Sequence, residues 1–168
     1  GKDAKAYGAN RAAFERNATR SVAAPRADLE ALQPVVDTTL PLMVEVDRAS
    51  DIRAVLDLKR RDKLPLRLIL LGVAEGWQVA ADIAAATVPV MVGAMSNIPG
   101  SFDQLGARQE NAALLRAAGI PVVLISNGSD DAQNFNVQNI RHDARNPVPY
   151  GMSLHDPPPA IPPAPPPP

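Results

Sequence analysis

The stretch LMVEVDRASDI, residues 42–52, runs a strand-like apolar segment into an acid, a base and the start of a helix. The reading of the whole chain turns on Asp47: it is either a chemical group at a strand end or punctuation between two packed elements. Side chains alternate along a strand, so Met43, Glu45 and Asp47 share one face while Leu42, Val44 and Val46 share the other. The wholly apolar set is expected to meet helices. Glu45 and Asp47 then point inward, about 6–7 Å apart for a rise of about 3.3 Å per residue. Such a pair can serve as a catalytic acid and base. In the alternative, Glu45 pairs with an arginine such as Arg67 and Asp47 orders the turn.

Working outward, the pattern repeats. Four short apolar runs, LPLMVEV (40–46), LPLRLILLG (64–72), VPVMVG (88–93) and IPVVLIS (120–126), each carry a proline near the beginning, where a strand tolerates a missing donor. Helical patterns at 50–62, 75–86 and 107–118 separate them, the last stopping at Ala118-Gly119. Strand, helix, strand without hairpin signals predicts parallel βα units in sequential order. Units of this kind build either a small doubly wound sheet or half of an eight-stranded barrel. GVAEGW (72–77) lacks the glycine spacing of a dinucleotide-binding turn, and there is no G-x-x-x-x-G-K. The expected fold class is therefore α/β, with parallel βα units forming half of a TIM-type (β/α)8 barrel.

Before the first strand, residues 3–18 predict a mostly exposed helix with Ala6, Ala9, Ala13 and Phe14 at helical spacing. A second helix is predicted over 24–37, with Asp28 as N-cap, Leu29, Leu32, Val35 and Val36 as its apolar face, and Pro34 ending or kinking it. The polar opening reads as a helix entered partway, so a segment of a longer protein is expected. The end, DPPPAIPPAPPPP (156–168), holds nine of the eighteen prolines and predicts an extended tail. The expected organisation is a helical segment (1–38), a half-barrel (39–156) and a proline-rich tail (157–168).

Composition narrows the function. The chain has 168 residues, 46% of them hydrophobic, enough for a domain with a real core. With 17 basic and 18 acidic residues and 4% aromatics, neither a nucleic-acid partner nor an anionic lipid surface is expected. The absence of cysteine excludes disulfides, thiolate nucleophiles and thiolate metal sites. No apolar run approaches the roughly 20 residues of a membrane span, so a soluble chain is expected, its compartment open.

In a parallel barrel the chemistry sits at the carboxyl ends of the strands. Besides Glu45 and Asp47, those ends offer Glu75 after the second strand, Asn97 and Ser101 in the long loop after the third, and Asn127 and Asp130 after the fourth. Each also has a plain structural reading: Glu75 faces a helix dipole, and the others suit turns. Trp77 reads as packing. His142 and His155 lie beyond any strand end and lack metal-ligand spacing.

Several long phrases carry a family resemblance: RADLEALQPVVDTTLPLMVEVDRASDI (26–52), AEGWQVAADIAAATVPV (74–90), SNIPGSFDQLGARQENAALLRAAGIPV (96–122), and SDDAQ (129–133) followed by NFNVQNIR. From about residue 10 to residue 156 the chain resembles imidazolonepropionase-related proteins of the amidohydrolase superfamily. The resemblance implies the second half of a (β/α)8 barrel, a small amide, peptide-like or cyclic imide substrate, and C–N bond hydrolysis by water activated on a zinc-type divalent metal. It also implies a partner for the half-barrel, either the remaining half or another subunit. The family's metal ligands in this half fall on Asp47, Gly72 and Asn127, with Asp130 or Asp131 as alternatives to the last. Gly72 has no side chain and a carboxamide is a weak ligand. This segment is therefore expected to hold no tight catalytic metal, and a non-catalytic paralogue or partner subunit with a degenerate site is the alternative to an enzyme.

Overall fold

The computed structural model of the chain describes residues 2–16, 25–61, 65–93, 99 and 101–125. The chain divides into two compact units, residues 1–43 with 57–68, and residues 44–56 with 69–168.

Before the first strand, four short helices stand among the described residues where the sequence predicts two. The expected helix over 3–18 breaks at Asn10 into α1 (Lys2–Ala9) and α2 (Arg11–Glu15). Its buried face is not the alanine stripe: Ala6 and Ala9 are exposed, whereas Ala4 and Tyr7 are buried. The break lets the Phe14 ring meet Tyr7 edge to face, with centroids 5.0 Å apart, a geometry aromatic quadrupoles favour. The helix expected over 24–37 splits at Leu32 into α3 (Arg26–Ala31) and α4 (Gln33–Val36). Pro25, not Asp28, stands at the N-cap of α3, and Asp28 falls in its first turn. Pro34 starts a helix instead of ending one, because the first turn has no use for its missing N–H. Leu29 and Val36 join Ala4 and Tyr7 in a small core. Gln33 Nε2 ties that core together by donating to the carbonyls of Ala4 and Leu29.

The sheet has the order β1-β2-β3-β4, with β1 at Leu42–Val46, β2 at Leu68–Gly72, β3 at Val90–Gly93 and β4 at Val122–Ile125. β2, β3 and β4 pair in parallel. β1 joins the same way: Leu42 donates to the Arg67 carbonyl and Val73 to the Val46 carbonyl, so both strands ascend together. This is the expected fold class, sequential parallel βα units as in half of a TIM-type barrel. The strands begin two to four residues later than the apolar runs, just beyond their prolines. A proline there still serves the ladder as an acceptor: the Pro89 carbonyl takes the Leu70 N–H at 3.1 Å and Pro121 takes that of Val90 at 3.0 Å.

The connecting helices are α5 (Ala49–Arg61), α6 (Ala80–Ala85) and α7 (Asn111–Ala117). A 3-10 turn, Gly76–Val79, leads into α6, and another, Phe102–Gln104, precedes α7. Leu70, Val90, Val92 and Val122 from the strands are buried with Ile83 and Leu115 from the helices. Each such side chain contributes about 1.5–3 kcal/mol on burial. Gly119, at φ +80°, closes α7: its N–H bonds the Arg116 carbonyl and the next N–H bonds Leu115, the pairing of a left-handed C-terminal cap.

Candidate functional site

The carboxyl end of β1 is bound to the turn after β2 through three consecutive N–H groups. Gly72 (φ +87°) and Val73 (φ +48°) both take left-handed backbone, which aims the following amides at β1. Val73 N–H bonds the Val46 carbonyl at 2.9 Å, and Glu75 N–H bonds the Asp47 carbonyl at 3.0 Å. Between them, the Ala74 N–H bonds Oδ1 of the Asp47 side chain at 3.1 Å. The carboxylate thus extends the ladder past the last strand residue. Its other oxygen, Oδ2, accepts from Gln104 Nε2 at 2.8 Å, which ties down the loop before α7.

Glu75 is used as fully. It makes no side-chain cap on its own 3-10 turn; Oε2 instead accepts the Ala49 N–H at the start of α5, 3.0 Å away, and Oε1 accepts the Gly106 N–H at 3.0 Å. A carboxylate beside a helix N-terminus satisfies an orphan donor and opposes the helix dipole. Trp77 packs over this loop as expected, its Nε1 donating to the Gly106 carbonyl at 2.8 Å while Arg108 lies 4.7 Å above its ring. Sequence reading missed Asn111, the buried polar residue of the described core. Its only signal was an asparagine opening a helix otherwise built of alanine, leucine and one arginine.

Beside these contacts lies a cleft of about 430 Å³, lined by Val44, Glu45, Asp47, Arg48, Val55 and Asp103, among others. Glu45 is exposed on β1 and has no hydrogen-bond or ionic partner among the described residues. Arg67 donates to the Thr38 carbonyl. Arg48 holds the rim of the cleft, with Nε 2.9 Å from Asp103 Oδ1 and a second nitrogen donating to the Phe102 carbonyl. Ser101 acts in the turn, accepting the Asp103 N–H. The structure thus brings Glu45 and Asp47 to one cleft and places Glu75 behind it as a strut. Asn97, Asn127 and Asp130 lie outside the described residues, as do Asp131, both histidines and the proline-rich end.

The described residues do not fit the metal that the resemblance implies. Both Asp47 oxygens already accept N–H donors. At Gly72 a Cβ would meet Asp47 Oδ1 at 2.6 Å, so the space of a side chain there is taken. Among the described residues no three His, Cys, Asp or Glu side chains gather where they could hold an ion. No helix among them is long and apolar enough to cross a membrane.

A sequential parallel sheet, with a cleft at the carboxyl end of its first strand, is the architecture of half a TIM-type barrel. The chain is similar in fold to the crystal structure of an amidohydrolase from Thermotoga maritima MSB8, with a TM-score of 0.72 over 91% of this chain. Identity is 16%, and the match covers 38% of that chain, so the likeness is one of fold over less than two fifths of its length. No family model matches the sequence, and no curated protein matches it.

Proposed function

We propose that this chain belongs to an imidazolonepropionase-related, amidohydrolase-like protein that hydrolyses the C–N bond of a small amide or cyclic imide. The supporting observation is the cleft at the carboxyl end of β1, in a fold shared with an amidohydrolase. Within that cleft Glu45 is the carboxylate free to exchange a proton with substrate or water, and Arg48 is placed to orient an anionic or carbonyl group. Asp47 lines the cleft with both oxygens held by protein donors, and Glu75 joins the start of α5 to Gly106. The half-barrel is completed by the remaining half of the protein or by another subunit, since the ends of an open sheet leave unpaired backbone groups. The full-length protein, assayed against a panel of small amides and cyclic imides, is expected to hydrolyse at least one. Glu45→Gln is expected to lower kcat by about 100-fold, the scale of a lost proton-transfer group.

A second reading, a non-catalytic paralogue or partner subunit, draws support from the engagement of all four oxygens of Asp47 and Glu75 by protein donors. It predicts a folded full-length protein with no turnover across the same panel and no effect of Glu45→Gln.

A further inference from the structure

We infer that Asp47 is a loop clasp, and that Gly72 is the residue that makes room for it. The clasp joins three segments, of which the backbone already links the first two through the Val73 and Glu75 amides. The carboxylate begins at the end of β1, takes the Ala74 N–H of the turn after β2 at 3.1 Å, and takes Gln104 Nε2 of the loop before α7 at 2.8 Å. Those are a backbone donor and a neutral amide donor, and the pair spends both oxygens. Oδ1 also stands 2.6 Å from the point where any residue other than glycine at position 72 would put its Cβ, closer than real Cβ atoms approach. A side chain at 72 therefore requires the Asp47 carboxylate to shift from this position. A strand-end carboxylate that organises two loops leaves those loops independent of a cation at this position. The two positions act as one unit: an acid that reaches across, and a glycine that yields the space. This assignment stands apart from the function proposed above, because its readouts are stability and metal binding.

The test uses the full-length protein, with thermal midpoints for Asp47→Ala, Asp47→Asn, Gly72→Ala and the double variant Asp47→Ala/Gly72→Ala, and equilibrium dialysis against zinc. Asp47→Ala removes both acceptors and is expected to lower the midpoint by about 4–10 °C. Asp47→Asn keeps Oδ1 for the Ala74 N–H, so its midpoint is expected to fall clearly less than that of Asp47→Ala. Gly72→Ala is expected to be destabilised by contact and by its left-handed backbone, and to lose less in the Asp47→Ala background, where the contact is gone. Zinc is expected neither to raise the parent's midpoint nor to bind in a way that depends on Asp47. Stoichiometric zinc lost in both Asp47 variants would overturn the assignment. So would an Asp47→Asn protein as unstable as Asp47→Ala, or strictly additive losses at 47 and 72. Should Gly72→Ala yield no folded protein, the Asp47 pair and the zinc measurement decide alone.

Discussion

The Trp77 amide donates to Oδ1 of Asn111 at 2.9 Å, while Asn111 Nδ2 donates to the Val73 carbonyl at 3.0 Å. One buried carboxamide thereby satisfies both a donor and an acceptor of the turn after β2, from the first residue of α7. The turn needs such a partner, because its left-handed entry at Gly72 and Val73 takes the backbone out of the regular ladder. Replacing Asn111 by alanine strands one buried and one part-buried backbone group, and unfolding in denaturant is expected to show a loss of about 1.5–3 kcal/mol. A carboxylate in its place would keep the acceptor but face the Val73 carbonyl with an oxygen, so Asn111→Asp is expected to fall in the same range.

Glu75 gives a graded pair of variants. Glu75→Ala removes the acceptors of Ala49 and Gly106, and the charge at the start of α5, for an expected loss of about 2–3 kcal/mol. Glu75→Gln keeps one acceptor and turns an NH₂ toward the other donor, so about half that stability should return or less. Chemical denaturation of both variants separates this strut role from a role in turnover, which would show in activity with stability intact.

Two helix caps of the same hand predict opposite signs. Thr87 follows α6 at φ +53°, with its N–H bonded to Ala84 and the next N–H to Ile83, as Gly119 does after α7. A β-branched residue is strained in left-handed backbone. Thr87→Gly is expected to stabilise the protein by about 0.5–1 kcal/mol, and Gly119→Ala to destabilise it by about 1 kcal/mol. No atom lies within 4 Å of a Cβ built on Gly119, so the second cost is one of backbone conformation and not of contact. Thermal midpoints of the two variants should move in opposite directions.

The helical unit carries a pH-dependent lock. The Glu30 carboxyl is held down from its ordinary 4.5 to about 2, first by the Tyr7 hydroxyl and then by Arg11 and Arg26. Tyr7 donates to Oε1 at 2.7 Å, and the Arg26 Nε approaches the same oxygen at 2.9 Å. A value depressed in the folded state gives stability that is complete above the unfolded value and is lost as pH falls through the folded one. The thermal midpoint is therefore expected to decline between pH 4.5 and about 2, and Glu30→Gln to flatten that decline. Salt should weaken the effect, since Arg11 and Arg26 are exposed.

The order of the strands, their common direction and the helices between them were legible in the sequence, because local signals fix each of them. A proline near the beginning of each apolar run marks where a strand starts, helical spacing of apolar residues fills each crossover, and the glycine at 119 ends α7 where left-handed backbone is cheapest. Asp47 and Glu75 were likewise legible as acids at strand ends. Structural roles for both were legible as well, but their partners were not. Only the tertiary structure decided those, because the partners lie far along the chain: Asp47 meets Ala74 and Gln104, and Glu75 meets Ala49 and Gly106. Those meetings depend on the left-handed turn at Gly72 and Val73, and the valine there carries no local signal for such a conformation. A carboxylate bonds whichever N–H the folded chain presents, and the choice among donors is made by packing beyond the reach of local propensity.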